Sequence, residues 1–274
     1  MKIAYQGEAG AYSEEAARAV RPGARTFGQA TFQAVFGELT SRSMDAAVLP
    51  VENSLAGVVQ EVNDGLWRNR GLRVVAEYVH PVRHCLLAPG EGPVKRAISH
   101  PQALAQCREW LTAHGIEPVP FHDTAGAARH LSEVRTPGLG AIASRAAASR
   151  YGLRLVAEGI QDDPSNRTRF VVVERGVADR PAAARAGWKA SLAFIAAHRP
   201  GSLVGALQCF SIRGVNLTRL DSRPLPDRPF EYLFYLDFEI GDPENSEEAL
   251  VELEAQTHES RLFGSYPAAA APAD

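Results

Sequence analysis

The run Asn166-Arg167-Thr168-Arg169-Phe170 places one hydroxyl between two guanidinium groups, just ahead of the apolar stretch Val171-Val172-Val173. An arginine there can fix a carboxylate through paired N–H···O bonds while the threonine hydroxyl faces a reacting centre. Two arginines around one threonine also fit a solvated loop. A second set of polar side chains stands where apolar runs give way to amphipathic ones: Ser13, Asn53-Ser54, Ser99-His100-Pro101-Gln102 and Asp123-Thr124. Each alone fits a helix N-cap. Together they suit an anion-binding crevice, because helix N-termini present free N–H groups outside the carboxyl ends of strands. No glycine-rich phosphate loop is present, so a carboxylate-bearing small molecule fits better than a phosphate. The eight histidines show no metal-ligand spacing. Of these, only His100 lies beside the crevice, where it reads as structural. Cys85, Cys107 and Cys209 are far apart in apolar stretches and read as reduced core cysteines, since a zinc site needs clustered ligands.

The elements that must position these residues read as strand, polar turn, helix. Ile3-Ala4-Tyr5 leads through a glycine-rich turn to a helix capped by Ser13, with Glu14 and Glu15 in its first turn. Thr31 caps a helix whose Phe32, Val35, Phe36 and Leu39 share one face. Ala46 to Leu49 is a buried-type strand ending at Pro50-Val51-Glu52-Asn53-Ser54. After it, Leu55, Val58, Val59, Val62 and Leu66 fall on a helical face. Val94 to Ile98 predicts a third strand, before a helix with Leu104, Cys107 and Leu111 inward. Gly140 to Ala143 predicts a fourth, before Ser144 and an alanine-rich helix. This alternation predicts an α/β fold with mostly parallel sheets covered by helices.

Residues 176–187 lack periodicity and read as a linker. Beyond them come a strand (Ser191 to Ala196), a helix through Leu203, Leu207 and Phe210, and a strand around Val215 to Leu220. Phe230, Tyr232, Phe234, Leu236, Phe238 and Ile240 then alternate with mostly polar neighbours as a half-buried strand. A helix from Glu247 to Thr257 and a strand from Arg261 to Ser265 complete a ferredoxin-like βαββαβ unit. An Ala/Pro tail from Pro267 reads as disordered.

At 274 residues, 45% hydrophobic and 22% charged, the chain has the composition of a globular protein of about two domains. A net charge of −3 and a pI near 6.3 leave no electrostatic footprint for nucleic acid or an anionic membrane. No apolar run approaches ~18 residues. The amino terminus reads as neither signal peptide nor anchor, and a cytoplasmic location is expected.

Several of these motifs, in this order, resemble the prephenate dehydratase family with a carboxy-terminal ACT regulatory domain. The resemblance spans essentially Met1 to Pro267. It rests on Thr168-Arg169-Phe170, Leu49-Pro50-Val51-Glu52-Asn53-Ser54, Gly7 to Ser13, Ser99 to Leu104 and Gly159-Ile160-Gln161-Asp162. In the second domain Gly201-Ser202-Leu203-Val204 is similar to the family's Gly-Ala-Leu-Val motif, and Asp221-Ser222-Arg223-Pro224 to its Glu-Ser-Arg-Pro motif.

The resemblance implies a catalytic domain over 1–176 of two α/β lobes, like the type 2 periplasmic binding proteins. One lobe would be 1–78 plus 158–176 and the other 79–157, with the site between them. A linker at 177–187, an ACT domain at 188–266 and a tail at 267–274 follow. The implied reaction is loss of carbon dioxide and the 4-hydroxyl from prephenate, giving phenylpyruvate in L-phenylalanine biosynthesis, with no cofactor or metal. Thr168 is the implied catalytic residue. Arg169 would fix a carboxylate, Phe170 would pack on the ring or in the core, and Asn53, Ser54, Ser13, Ser99, Gln102 and Thr124 would line the cleft. L-phenylalanine is the implied effector, held at a dimer interface around Gly201, Ser202, Leu203, Val204, Asn216, Leu217, Asp221, Ser222, Arg223 and Pro224. A homodimer or homotetramer is expected. Gly10-Ala11-Tyr12-Ser13 stands where many members have Gly-Thr-Phe-Ser, and is closer to arogenate dehydratases. Arogenate therefore stays open as the substrate, and a non-catalytic amino-acid sensor is the alternative of another class.

Overall fold

A computed structural model describes residues 1–225 and 228–270. The Phe230 side chain and residues 271–274 of the expected tail lie outside the described residues. The first elements are β1 (Lys2–Gln6), α1 (Tyr12–Val20), β2 (Arg25–Gln29), α2 (Phe32–Thr40), β3 (Ala46–Asn53), β4 (Gly57–Val58), α3 (Gln60–Arg68) and β5 (Leu72–Pro81). Next come β6 (Cys85–Ala88), β7 (Arg96–Ser99), α4 (Pro101–Ala105), α5 (Arg108–Ala113), β8 (Glu117–Pro120), α6 (Thr124–Val134), β9 (Leu139–Ala143), α7 (Arg145–Tyr151), β10 (Arg154–Glu158) and β11 (Arg167–Arg175). The chain continues with β12 (Trp188–Ile195), α8 (Ser202–Ser211), β13 (Leu217–Leu225), β14 (Arg228–Ile240), α9 (Pro243–Gln256) and β15 (Glu259–Pro267).

Two compact units divide the described residues: 1–60 with 78–170, and 61–77 with 171–270. The α/β part of the chain is built on two sheets. One sheet has the order β2-β1-β3-β11-β5, with β4 off β3, and the other the order β10-β6-β9-β7-β8. Strands β1, β2 and β3 run parallel, as do β7, β8 and β9, but β6 is antiparallel to β9 and β10, so the sheets are mixed. The second sheet shows how sequence alternation becomes two cores. Cys85, Leu87, Ile98, Ala141 and Ala143 meet α6 and α7 on one face. Leu86, Ala97 and Ile142 meet Leu104, Cys107 and Leu111 on the other.

Local chemistry corrects four expectations. Ser13 is not the cap of α1: the cap position is Ala11, two residues earlier, and the Glu14 carboxylate accepts the Gly10 N–H. Residues 55–59 are not helical, because Asn53 Oδ1 accepts the Leu55 and Ala56 amides and turns the chain into the hairpin β3–β4. The helix expected through Leu104 and Leu111 breaks at Cys107 into α4 and α5. Thr31, Asp123 and Ser144 do cap α2, α6 and α7. Gly10 (φ +86°) is confined by its surroundings as well as its dihedral: a Cβ there would sit 2.8 Å from Ala147 Cα. The fourth correction concerns 176–187, which is not a free linker. Pro181–Ala183 forms a 3₁₀ turn, and Arg180 pairs with Glu247 and Glu254 of α9.

The second unit is built on the antiparallel sheet β13-β14-β12-β15 with α8 and α9, in the βαββαβ order of a ferredoxin-like fold. Phe194, Phe210, Leu236, Phe238, Ile240 and Leu250 form its core. Strand β14 is buried on both faces rather than half-buried, since Leu233, Tyr235 and Asp237 on its other side are also covered. Residues 61–77 belong to this unit, so compactness does not divide the chain near 78 and 176 as the lobe boundaries imply. Polar ties explain it. Tyr235 Oη donates to Asp64 of α3 at 3.0 Å, Arg223 pairs with Asp64 at 2.8 Å, and Arg261 bonds the carbonyls of Leu66, Trp67, Asn69 and Leu72.

Candidate active site

A cavity of about 440 Å³ opens in the first unit. Its lining brings together Thr168 from β11, Asn53 from the end of β3, Gln102 and Gln106 around α4, and Thr124 at the start of α6. Ala56, Val58, Val59 and Val82 give it an apolar wall. Volume and lining fall in the range of small-molecule sites.

Asn53 is the hinge of the polar wall. Its Oδ1 accepts the Leu55 and Ala56 amides at 3.1 and 2.9 Å. Its Nδ2 donates to Asn166 Oδ1 at 2.9 Å, to the Arg167 carbonyl at 3.0 Å and to Thr168 Oγ1 at 3.0 Å. The Thr168 hydroxyl therefore accepts from Asn53, and its own proton has no acceptor among the described residues. His100 lines the cavity and takes the Gln102 amide on Nδ1, capping α4. Asp123 caps α6 through the Gly126 amide. No arginine or lysine side chain is part of the cavity's lining among the described residues. Its donors are neutral, aided by the N-terminus of α6.

The remaining residues expected at the site lie elsewhere. Residues alternate along β11, so Arg169 stands on the face opposite Thr168, where its Nε meets Glu52 Oε2 at 3.4 Å and its side chain is 12% exposed. Phe170 is core, edge-on to His80. Ser99 is wholly buried and donates to the Ile142 carbonyl at 2.7 Å. Ser54 bonds the Arg167 backbone, its amide donating to the Arg167 carbonyl and its hydroxyl accepting the Arg167 amide. Ser13 is buried in α1.

Sequence reasoning missed three polar residues of the lining: Tyr12, His84 and Gln106. Gln102 and Gln106 are four apart, a helical spacing that could have revealed the second. His84 is 2% exposed; its Nδ1 lies 2.9 Å from Tyr12 Oη and its Nε2 2.9 Å from Gln106 Oε1. Burial lowers its pKa, against a smaller opposing effect of the Gln106 bond, so the ring is neutral. Burial likewise pushes the Tyr12 phenol well above its ordinary value.

Residues expected to hold an effector are distributed over the second unit. Ser202 and Leu203 line a cavity of about 420 Å³ with His198, Arg199, Tyr232 and Phe234. Gly201 precedes α8 with φ +82°, a left-handed conformation suited to glycine, and Val204 is exposed. Asn216 is elsewhere, donating to Glu239; Leu217 packs on the core. Asp221 pairs with Arg219 at 2.5 Å and Arg223 with Asp64, while Ser222 and Pro224 pair with Phe234 and Tyr232 in the ladder.

The sequence profile of prephenate dehydratase matches residues 3–177. "Arogenate dehydratase 2" of Petunia hybrida is 39% identical over 289 residues, covering 97% of this chain and 72% of that protein. "Arogenate dehydratase/prephenate dehydratase 2, chloroplastic" of Arabidopsis thaliana is 41% identical over 281 residues, covering 97% and 73%. Among solved structures, the prephenate dehydratase of Arthrobacter aurescens in complex with L-Phe superposes with a TM-score of 0.88 at 30% identity, over 97% of this chain and 90% of that one. A protein described as GqqA, a novel type of quorum quenching acylase, superposes with a TM-score of 0.90 at 37% identity, over 98% of both. Acyl transfer through Thr168 would need a base on its hydroxyl, and Asn53 here offers an amide N–H instead. The cytoplasmic expectation is overturned by the Arabidopsis relatives, whose names describe those proteins as chloroplastic. With the profile covering most of the chain and relatives near 40% identity along 97% of it, the chain belongs to the prephenate dehydratase family, which are hydro-lyases.

Proposed function

We propose that this chain converts prephenate to phenylpyruvate, carbon dioxide and water, using Thr168 as the donor to the departing hydroxyl. Arogenate, with an amine in place of the ketone, is the alternative substrate, and the names of the relatives carry both. The observation that carries the proposal is the Thr168–Asn53 pair in the cavity. As the ring carboxylate leaves as carbon dioxide, its electron pair enters the ring and expels the 4-hydroxyl, which takes a proton from solvent to leave as water, as the ring becomes aromatic. Aromatisation supplies the driving force, so the protein's task is to hold a dianion and stabilise negative charge on the departing oxygen. Asn53 occupies a lone pair of Thr168 Oγ1, which turns the hydroxyl proton toward the cavity. A positioned donor of this kind contributes about 10²–10⁴-fold. Gln102, Thr124 and the first amides of α6 are suited to the carboxylates. Arg169, engaged by Glu52, is not assigned that role.

Residues 1–176 are assigned the catalysis. The ferredoxin-like domain at 188–266 is assigned to regulation by L-phenylalanine as an ACT domain in a homodimer or homotetramer. The support is the Arthrobacter aurescens structure with L-Phe, together with the cavity beside Ser202 and Leu203. Turnover of prephenate and of arogenate, each with and without phenylalanine, tests both halves. Phenylpyruvate production suppressed by phenylalanine is expected; preferential formation of phenylalanine from arogenate would overturn the substrate. Thr168→Val should lower kcat about 10²–10⁴-fold with KM little changed, and Thr168→Ser should retain most activity. A valine variant within fivefold of the parent would remove Thr168 from the chemistry.

A further inference from the structure

The amide groups around the cavity form one chain whose direction is fixed from one end. Backbone N–H groups only donate, so the Leu55 and Ala56 amides fix Asn53 with its oxygen toward them and its NH₂ toward Asn166 and Thr168. Asn166 must then present Oδ1 to Asn53, which leaves its NH₂ for Gln106 Oε1 at 3.1 Å. Gln106 therefore shows its oxygen to His84 Nε2, and that nitrogen must carry the ring proton. Burial keeps the ring neutral, so Nδ1 is bare and takes the Tyr12 hydroxyl proton at 2.9 Å. The Arg83 carbonyl, 3.0 Å from Tyr12 Oη, competes for that proton without reversing the order.

Both lone pairs of Gln106 Oε1 are thereby used by His84 and Asn166. Its NH₂ has no acceptor among the described residues, and Gln106 lines the cavity. We infer that Tyr12 and His84 are positioning residues for the dehydration: they hold Gln106 with its NH₂ toward the cavity, so that Gln106 and Thr168 form a wall of donors for an oxygen anion, a carboxylate or the departing hydroxyl. Without the Nε2 proton, Gln106 Oε1 would face a bare nitrogen, and only the Asn166 bond would hold its NH₂ toward the cavity. The Tyr12 hydroxyl is also where the early turn departs from Gly-Thr-Phe-Ser. The inference rests on the reading of the cavity as the dehydration site.

The test uses His84→Gln and His84→Asn, which lose the imidazole equally but differ in reach. Glutamine can place an N–H where Nε2 stood and keep Gln106 oriented, whereas asparagine ends near the Nδ1 position. His84→Gln should stay within about threefold of the parent kcat on prephenate. His84→Asn should fall about tenfold further, at similar KM, a loss in the range of one hydrogen bond. Nitrogen-15 spectra of histidine-labelled protein should show His84 as the neutral Nε2–H tautomer, identified by the signals missing from His84→Gln. Tyr12→Phe should shift those signals toward mixed tautomers. Equal losses in the two His84 variants, or an Nδ1–H tautomer or imidazolium at neutral pH, would overturn the inference. Thr168→Val separates the two claims: an active valine variant removes the Thr168 reading whatever His84 does, and an inactive one beside equal His84 variants removes only this inference.

Discussion

Arg261 offers the sharpest quantitative test of how the second unit is held together. The residue is 8% exposed, and its guanidinium donates to four carbonyls: those of Leu66 and Trp67 near the end of α3, and those of Asn69 and Leu72 just beyond. The last carbonyls of a helix have no partner within it, and here one side chain serves two of them together with the turn that follows. Arg261→Met keeps the apolar stem but strands the Leu66 and Leu72 carbonyls in the interior. At about 1–3 kcal/mol for each orphaned acceptor the gross cost is about 2–6 kcal/mol. Not having to bury a cation returns part of this, leaving a net loss of about 3–4 kcal/mol. For a chain of this length that lowers Tm by about 10 °C. Arg261→Lys keeps the charge but not the planar fork and should lose about half as much. Urea unfolding followed by far-UV circular dichroism, with a thermal scan beside it, measures both variants. A methionine variant within about 1 kcal/mol of the parent, or a lysine variant as damaged as the methionine one, would show that the fork does not hold the segment.

Glu14 predicts the acid limb of stability. Burial opposes its charge, but the Gly10 amide, Arg18 and Thr26 more than compensate and hold its carboxyl below the ordinary range. Its contribution is therefore full above the usual carboxylate range and is lost as pH falls through the lower folded value. Glu14→Gln should narrow the gap to the parent steadily below about pH 4.5 in urea titrations, and a gap that widens on acidification would contradict the assignment. The cysteines predict chemical silence. Burial pushes the Cys107 thiol up to about 12 and Cys85 up to about 11, and raises Cys209 too. All three should resist a thiol reagent at neutral pH in the native protein and react together in denaturant; one fast thiol in the folded state would refute this.

Much of the fold was legible because its periodicities are local. Thr31 as a cap, the buried run Ala46 to Leu49 and the alternation from Tyr232 to Ile240 each follow from a few neighbouring residues. Errors arose where one side chain redirected the backbone. Asn53 turns 55–59 into a hairpin although their spacing suits a helix, and Glu14 accepts the Gly10 amide ahead of a helix whose cap is Ala11 rather than Ser13. In the site, Thr168 and Asn53 could be named from their motifs, but Arg169 was placed beside Thr168 although neighbours on a strand face opposite ways. His84 carried no local signal and Tyr12 only that of a turn motif, because what marks them as a pair is a partner 72 residues away.

The polar wall of the cavity also sets an order in time. Its bonds span 72 residues from Tyr12 to His84, 22 from His84 to Gln106, 60 from Gln106 to Asn166 and 115 from Asn53 to Thr168. Closing such loops is slow compared with forming a helix or a tight hairpin. A refolding chain should regain its circular dichroism before it regains turnover. A chain still being synthesised cannot possess the wall at all until Thr168 has emerged. Competence therefore arrives late and at once, as the joint property of segments that never meet along the sequence.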